Sequence, residues 1–172
     1  MDLLPDRDIK KVAQDLIVAL SLELINQGHK NTGSLISSMS SKIINLGNVK
    51  ELQIFMNEYG LVVNDGVKAN KVPYSRGSKR GGKSRYIQGL IDFVKNKGLA
   101  SGDKEAQSIA FAIAAVHKKE GIGTNKSKRF SKNGKRKGWI DDTLKDKFDS
   151  IANQVHNVAF KSFSIEVDQI LK

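Results

Sequence analysis

Two stretches of this chain carry its whole excess of positive charge. Residues 66–91 hold seven Lys/Arg and no acid, and residues 117–138 hold nine Lys/Arg against one acid, Glu120. They contribute +7 and +8 to a chain whose net charge is +11, so the remainder is −4. Like charges at this density repel one another and stay hydrated. A core has to come from apolar periodic segments that flank or overlap them. The basic segments themselves point at a polyanion or an acidic protein surface.

The rest of the chain is equal to that task. At 172 residues it suffices for a single domain, 1–172, with a real core. Apolar content of 39% and charged content of 27% are globular values. There is no Cys, which excludes disulfides and Cys-based zinc sites. No apolar run approaches the roughly 18 residues that span a bilayer. The segment Met1 to Asp6 lacks the cationic and apolar regions of a secretory signal, so a soluble, unexported chain with no membrane contact is expected.

Helical periodicity dominates. Ile9, Val12, Ala13, Leu16, Leu20 and Leu24 recur at i+3/i+4 and predict a helix over 6–27, ended by Gly28. Thr32 or Ser34 can cap a short turn. Segments 40–46 and 51–56 alternate loosely around Gly47-Asn48 and predict a β-hairpin. Tyr59 to Gly66 fits a short strand or one to two helical turns, and Asn64-Asp65-Gly66 marks a reversal. Tyr86 to Lys97 predicts a helix with Tyr86, Ile87, Leu90, Ile91 and Val94 on one face. A second central helix, from Ser101 or Asp103 to Gly121, turns Ala106, Ile109, Ala110, Ile113 and Val116 inward. A last helix opens at Asp141/Asp142. Its stripe is Leu144, Phe148, Ile151, Ala152, Val155, Ala159, Phe163 and Ile170, over roughly 40 Å. The expected fold is α+β: long terminal helices and two central helices packed on a small antiparallel sheet, with extended basic loops at 67–85 and 121–138.

The chemistry-bearing patterns are few. Three scattered His lack the i, i+4 spacing of a metal pair. Gly77-Ser78-Lys79-Arg80-Gly81-Gly82-Lys83-Ser84 matches the P-loop spacing. A P-loop, however, follows a buried strand that aims its amides at phosphate, and here Lys71-Val72-Pro73-Tyr74-Ser75-Arg76 precedes it. No Ser/His/Asp constellation is visible. Catalysis and cofactors are not expected. The candidate contact residues are Lys71, Arg76, Lys79, Arg80, Lys83 and Arg85 in the first loop. In the second they are Lys126, Lys128, Arg129, Phe130, Lys132, Lys135, Arg136 and Lys137.

Read in order, several weak motifs line up. They are Thr32-Gly33-Ser34-Leu35, Tyr59 with Val63 and Gly66, Val72-Pro73, Ala110-Phe111-Ala112-Ile113-Ala114, Lys119-Glu120-Gly121-Ile122-Gly123-Thr124, and Phe130. Over roughly residues 9–170 this order resembles the neck and tail-completion (head–tail joining) proteins of tailed bacteriophages, the group that includes the lambda minor tail protein Z. The two loops are longer and more basic than that pattern. The resemblance implies no catalysis. It implies a virion structural protein, made in the bacterial cytoplasm, that assembles as a ring between the portal or adaptor region and the tail. Its expected partners are further copies of itself, the neighbouring portal, adaptor and tail proteins, and packaged double-stranded DNA. Loops facing a lumen would meet DNA; loops facing sideways would meet acidic surfaces of the adjacent ring. The alternative is a free nucleic-acid-binding protein without sequence preference. Near the loops only Tyr74, Tyr86, Phe130 and Trp139 could stack on bases, which is thin for a single-strand binder.

Overall fold

The computed structural model describes residues 4–47, 49–75, 84–124, 128 and 131–170, with side chains described as far as 164. The fold is α+β. Its elements in chain order are α1 (Asp6–Asn26), the single turn α2 (Ser34–Ser37), β1 (Ser40–Leu46), β2 (Val49–Phe55) and α3 (Tyr59–Asp65). A 3₁₀ turn at Ala69–Lys71 follows, then α4 (Arg85–Asn96), α5 (Asp103–Glu120) and α6 (Trp139–Ile170). Contacts gather into two compact units. The first is Met1–Leu24, Leu35–Glu58 and Trp139–Lys172; the second is Ile25–Ser34 and Tyr59–Gly138. No helix of the described residues is long and apolar enough to cross a membrane.

In the first unit, α1 buries Val12, Ala13, Leu16, Leu20 and Leu24, the stripe its 3.6-residue period predicts. β1 and β2 form an antiparallel hairpin that runs from Ser40↔Phe55 to Leu46↔Val49. Lys50 of β2 ties the hairpin to the start of α1, donating to the Leu4 carbonyl at 2.6 Å and to Asp6 Oδ1 at 2.8 Å. At the other end of the hairpin Ser38 Oγ accepts from the Asn57 amide at 3.0 Å. Yet no strand residue is buried, and Leu46, Val49 and Phe55 stand exposed. A two-stranded hairpin with open edges is marginal by itself.

α6 departs from expectation. It begins at Trp139, which is fully buried, and its 32 residues span about 48 Å rather than 40 Å. Trp139 and Thr143 are its buried residues among those described; Thr143 Oγ1 donates back to the Trp139 carbonyl at 2.7 Å. The predicted apolar stripe is only partly covered. Leu144 is 45%, Phe148 71% and Phe163 51% exposed; Ala152 is exposed too, and Ile151, Val155 and Ala159 are half-buried. The Ile170 side chain lies outside those described. Periodicity marks a face able to bury apolar surface, and this chain supplies too little to cover it.

The second unit resolves the ambiguity at Tyr59 to Gly66 in favour of a helix, α3. Its core is where α4 meets α5: Ile87, Ile91 and Val94 lie against Ala106, Ala110 and Ala114. The three alanines recur every four residues, so one small-residue groove on α5 receives the larger side chains of α4. Ile109 and Ile113 flank this seam, as expected. Val116 does not; it is exposed, because it lies two positions past Ala114, about 200° round the helix. Ser84 caps α4 by accepting from the Ile87 amide at 3.3 Å, and Lys95 meets Asp103 at 2.7 Å across the connection.

With Ala110 fully buried, a larger side chain there must force the helices apart. Ala110→Leu is expected to lower unfolding stability by about 2–3 kcal/mol, read from urea midpoints.

Candidate polyanion-binding face

The two basic segments are hung from one hinge of backbone. Val67 and Ile122 form an isolated antiparallel bridge, exchanging N–H···O bonds of 2.8 Å in both directions. The first segment begins at this bridge and so does the second. The approach is close enough to require glycine on both sides. A Cβ on Gly66 would lie 2.7 Å from the Gly123 carbonyl oxygen, and one on Gly121 2.5 Å from that of Val67. Both residues also have positive φ, 71° and 86°, which strains any residue bearing a Cβ.

The second segment also closes on the same place. The Gly138 amide donates to the Asn64 carbonyl at 2.7 Å, three residues before Val67. Between its ends it runs along the last residues of α1. The Lys132 amide donates to the Asn26 carbonyl at 2.7 Å, and Arg136 Nη1 to the Gln27 carbonyl at 2.7 Å. A helix end leaves carbonyls without intrahelical partners and carries partial negative charge. α1 has no basic residue in its own last turn. Arg136 supplies the missing cation. From α5, Lys118 Nζ reaches the Val72 carbonyl at 3.2 Å, holding down the first segment.

Arg136 is therefore a structural residue. It is half-buried, and burial lowers its pKa. His29 sits against it, hydrogen-bonded to its backbone; burial first, and the guanidinium second, bring the imidazole down to about 4. Burial and the same guanidinium also lower His117. His117 Nδ1 is 2.8 Å from Tyr86 Oη, and burial, then Tyr74, push that phenol up to about 12. Both imidazoles are thus held neutral beside a cation.

The other expected contact residues divide in two. Lys71, Arg85, Lys128, Lys132, Lys135 and Lys137 are exposed. Arg76, Lys79, Arg80, Lys83, Lys126, Arg129 and Phe130 lie outside the described residues. Spacing alone did not single out Lys68 and Lys119, which are exposed on the same unit. Of the four aromatics able to stack on bases, three are committed inward. Tyr74 rings against Phe111 at 6.5 Å, Tyr86 bonds His117, and Trp139 is fully buried. The P-loop-like octapeptide lies outside the described residues except for Ser84, and no strand precedes it at Val72 to Ser75.

The unit boundaries sort the charge. The second unit holds 20 Lys/Arg and 5 Asp/Glu, net +15; the first holds 9 and 13, net −4. The cations that the second unit adds to the two basic segments are balanced by its added acids, so its whole excess is theirs. Two motifs that lie far apart in the sequence also meet in this unit, since Tyr59 Oη is 2.9 Å from Ser34 Oγ, which Thr32 Oγ1 reaches at 3.1 Å. Compared with protein-family models, curated proteins and solved structures, the chain matches none.

The inward and outward cations should behave differently. Arg136→Ala is expected to cost about 2 kcal/mol of stability, since it strips a charged donor from the carbonyl of the fully buried Gln27. Lys137→Ala should stay within about 0.5 kcal/mol. The pH dependence follows from His29. Its folded pKa, about 4, lies below its unfolded value of 6.5, so its contribution is full above pH 6.5 and is lost as pH falls towards 4. After allowance for solvent screening this is on the order of 1–2 kcal/mol. Urea midpoints at pH 7.5 and 4.5 should differ less in His29→Gln than in the parent protein.

Proposed function

We propose that the protein is a structural component of a tailed-phage neck or tail top. It acts without catalysis and is completed by assembly with copies of itself and with neighbouring virion proteins. The observation that carries this is the uncovered apolar surface of the first unit. A hairpin with no buried residue and a long helix whose Leu144, Phe148 and Phe163 face solvent leave large apolar side chains open to a partner. Such faces are covered in an assembly. The order of motifs supports the same reading, since the Thr32-Gly33-Ser34-Leu35 and Tyr59 elements of the phage pattern share one hydrogen-bonded corner. The virion is the place this reading implies.

A second reading, a free nucleic-acid-binding protein without sequence preference, is favoured by the +15 of the second unit.

The mass of the purified protein in solution, alone and mixed with candidate portal-side and tail-side proteins, separates the two. The neck reading expects a ring, or ring formation on mixing, and Phe148→Ser/Phe163→Ser should abolish it while helical circular dichroism persists. A stable monomer that binds DNA and joins no assembly overturns it.

A further inference from the structure

The charge of the second unit admits more than one negative partner, and three features of its surface discriminate among them. The first is the kind of cation. Of its 20 Lys/Arg, 15 are Lys and 5 are Arg. Protein–protein interfaces are enriched in Arg and depleted of Lys, because the ammonium is hydrated and flexible. Phosphate neutralisation without base readout makes no such distinction.

The second feature is what surrounds the cations. Protein interfaces take most of their binding energy from buried aromatic or apolar anchors within a polar rim. The described parts of the basic segments, 67–75, 84–91, 117–124, 128 and 131–138, contain no exposed large hydrophobic residue. The large exposed hydrophobics that the second unit does carry are on α3, at Leu99 and on α5, where Phe111 meets Tyr74 and Val116 precedes the second segment.

The third feature is the state of the aromatics. Single-stranded nucleic acid is held by bases stacked on exposed rings. Tyr74 and Tyr86 pack on the α4–α5 core, so the described parts of the basic segments present cations with no exposed ring of their own.

Together with the Val67–Ile122 bridge, these features point to a definite ligand. We infer that the two basic segments form one composite site for the phosphate backbone of duplex nucleic acid, bound without base readout. Lys68, Lys71 and Arg85 act from the first segment, and Lys128, Lys132 and Lys137 from the second. Arg136 takes no part, being bonded to Gln27. The inference draws on the neck reading only for the source of the duplex, which is then the packaged genome. Binding itself is a property of the isolated chain.

The test is equilibrium binding of the full chain, by fluorescence anisotropy, to three labelled probes. They are a 30-base-pair duplex, an oligo-dT strand of matching phosphate number and polyglutamate, each between 50 and 200 mM NaCl. The duplex should bind best, duplexes of unrelated sequence should bind alike, and affinity should fall by about 10²- to 10⁴-fold over that range. Lys68→Ala/Lys71→Ala and Lys128→Ala/Lys132→Ala/Lys137→Ala should each flatten the log–log salt slope, by up to about 1.8 and 2.7. Lys10→Ala/Lys11→Ala, in the first unit, should leave it unchanged. Tighter binding of polyglutamate would reassign the face to an acidic protein, and tighter binding of oligo-dT to a single strand. A slope that responds to only one of the two basic segments would overturn the composite site. A ring-forming protein that binds no duplex loses this inference alone.

Discussion

Two hydrogen bonds between Val67 and Ile122 decide where the charge of this protein goes. Without them, two cationic segments separated by α4 and α5 would have every electrostatic reason to part. A backbone hydrogen bond contributes only about 1 kcal/mol net. The opposing repulsion is also small, because exposed charges more than about 8 Å apart are largely screened at physiological salt. Close packing at Gly66 and Gly121 tips the balance, since it lets the two backbones meet with no side chain between them. The described starts of the two basic loops thereby share one base, on a unit whose core is the α4–α5 seam.

The far side of the second basic segment is held by a different force. It runs along the open end of α1, where carbonyls need donors and partial negative charge favours a cation. Arg136 meets both needs at Gln27. The consequence is a neutral-histidine environment: His29 and His117 are both depressed by burial and by this guanidinium. One cation out of a dense run is thus structural, and its neighbours Lys135 and Lys137 stay outside. Nothing in their order along the chain distinguishes the three.

The two units differ in charge, although both leave large apolar side chains exposed. The first, net −4, exposes Leu46, Val49, Phe55, Leu144, Phe148, Phe160 and Phe163. The second, net +15, exposes lysines on segments free of large apolar side chains among the described residues. On these surfaces rest the proposals of assembly through the first unit and of polyanion binding by the second.

Much of this was legible in the residues in order. The α1 stripe, the hairpin at Ser40 to Phe55 and the limits of α4 and α5 follow from local periodicity and turn chemistry, which act over a few residues and survive in any context. The same holds for the segregation of charge, a matter of composition. Local pattern fell short wherever a distant partner chose between locally equal outcomes. Tyr59 to Gly66 became helix, Val116 turned outward because the alanines took the seam, and the α6 stripe was covered only in part, at Ile151, Val155 and Ala159. Tertiary structure alone decided that the two basic segments share one base and that Arg136 faces inward. Both depend on groups that meet across more than fifty residues of chain, and the backbone carbonyls that accept these bonds carry no side-chain signature to announce them.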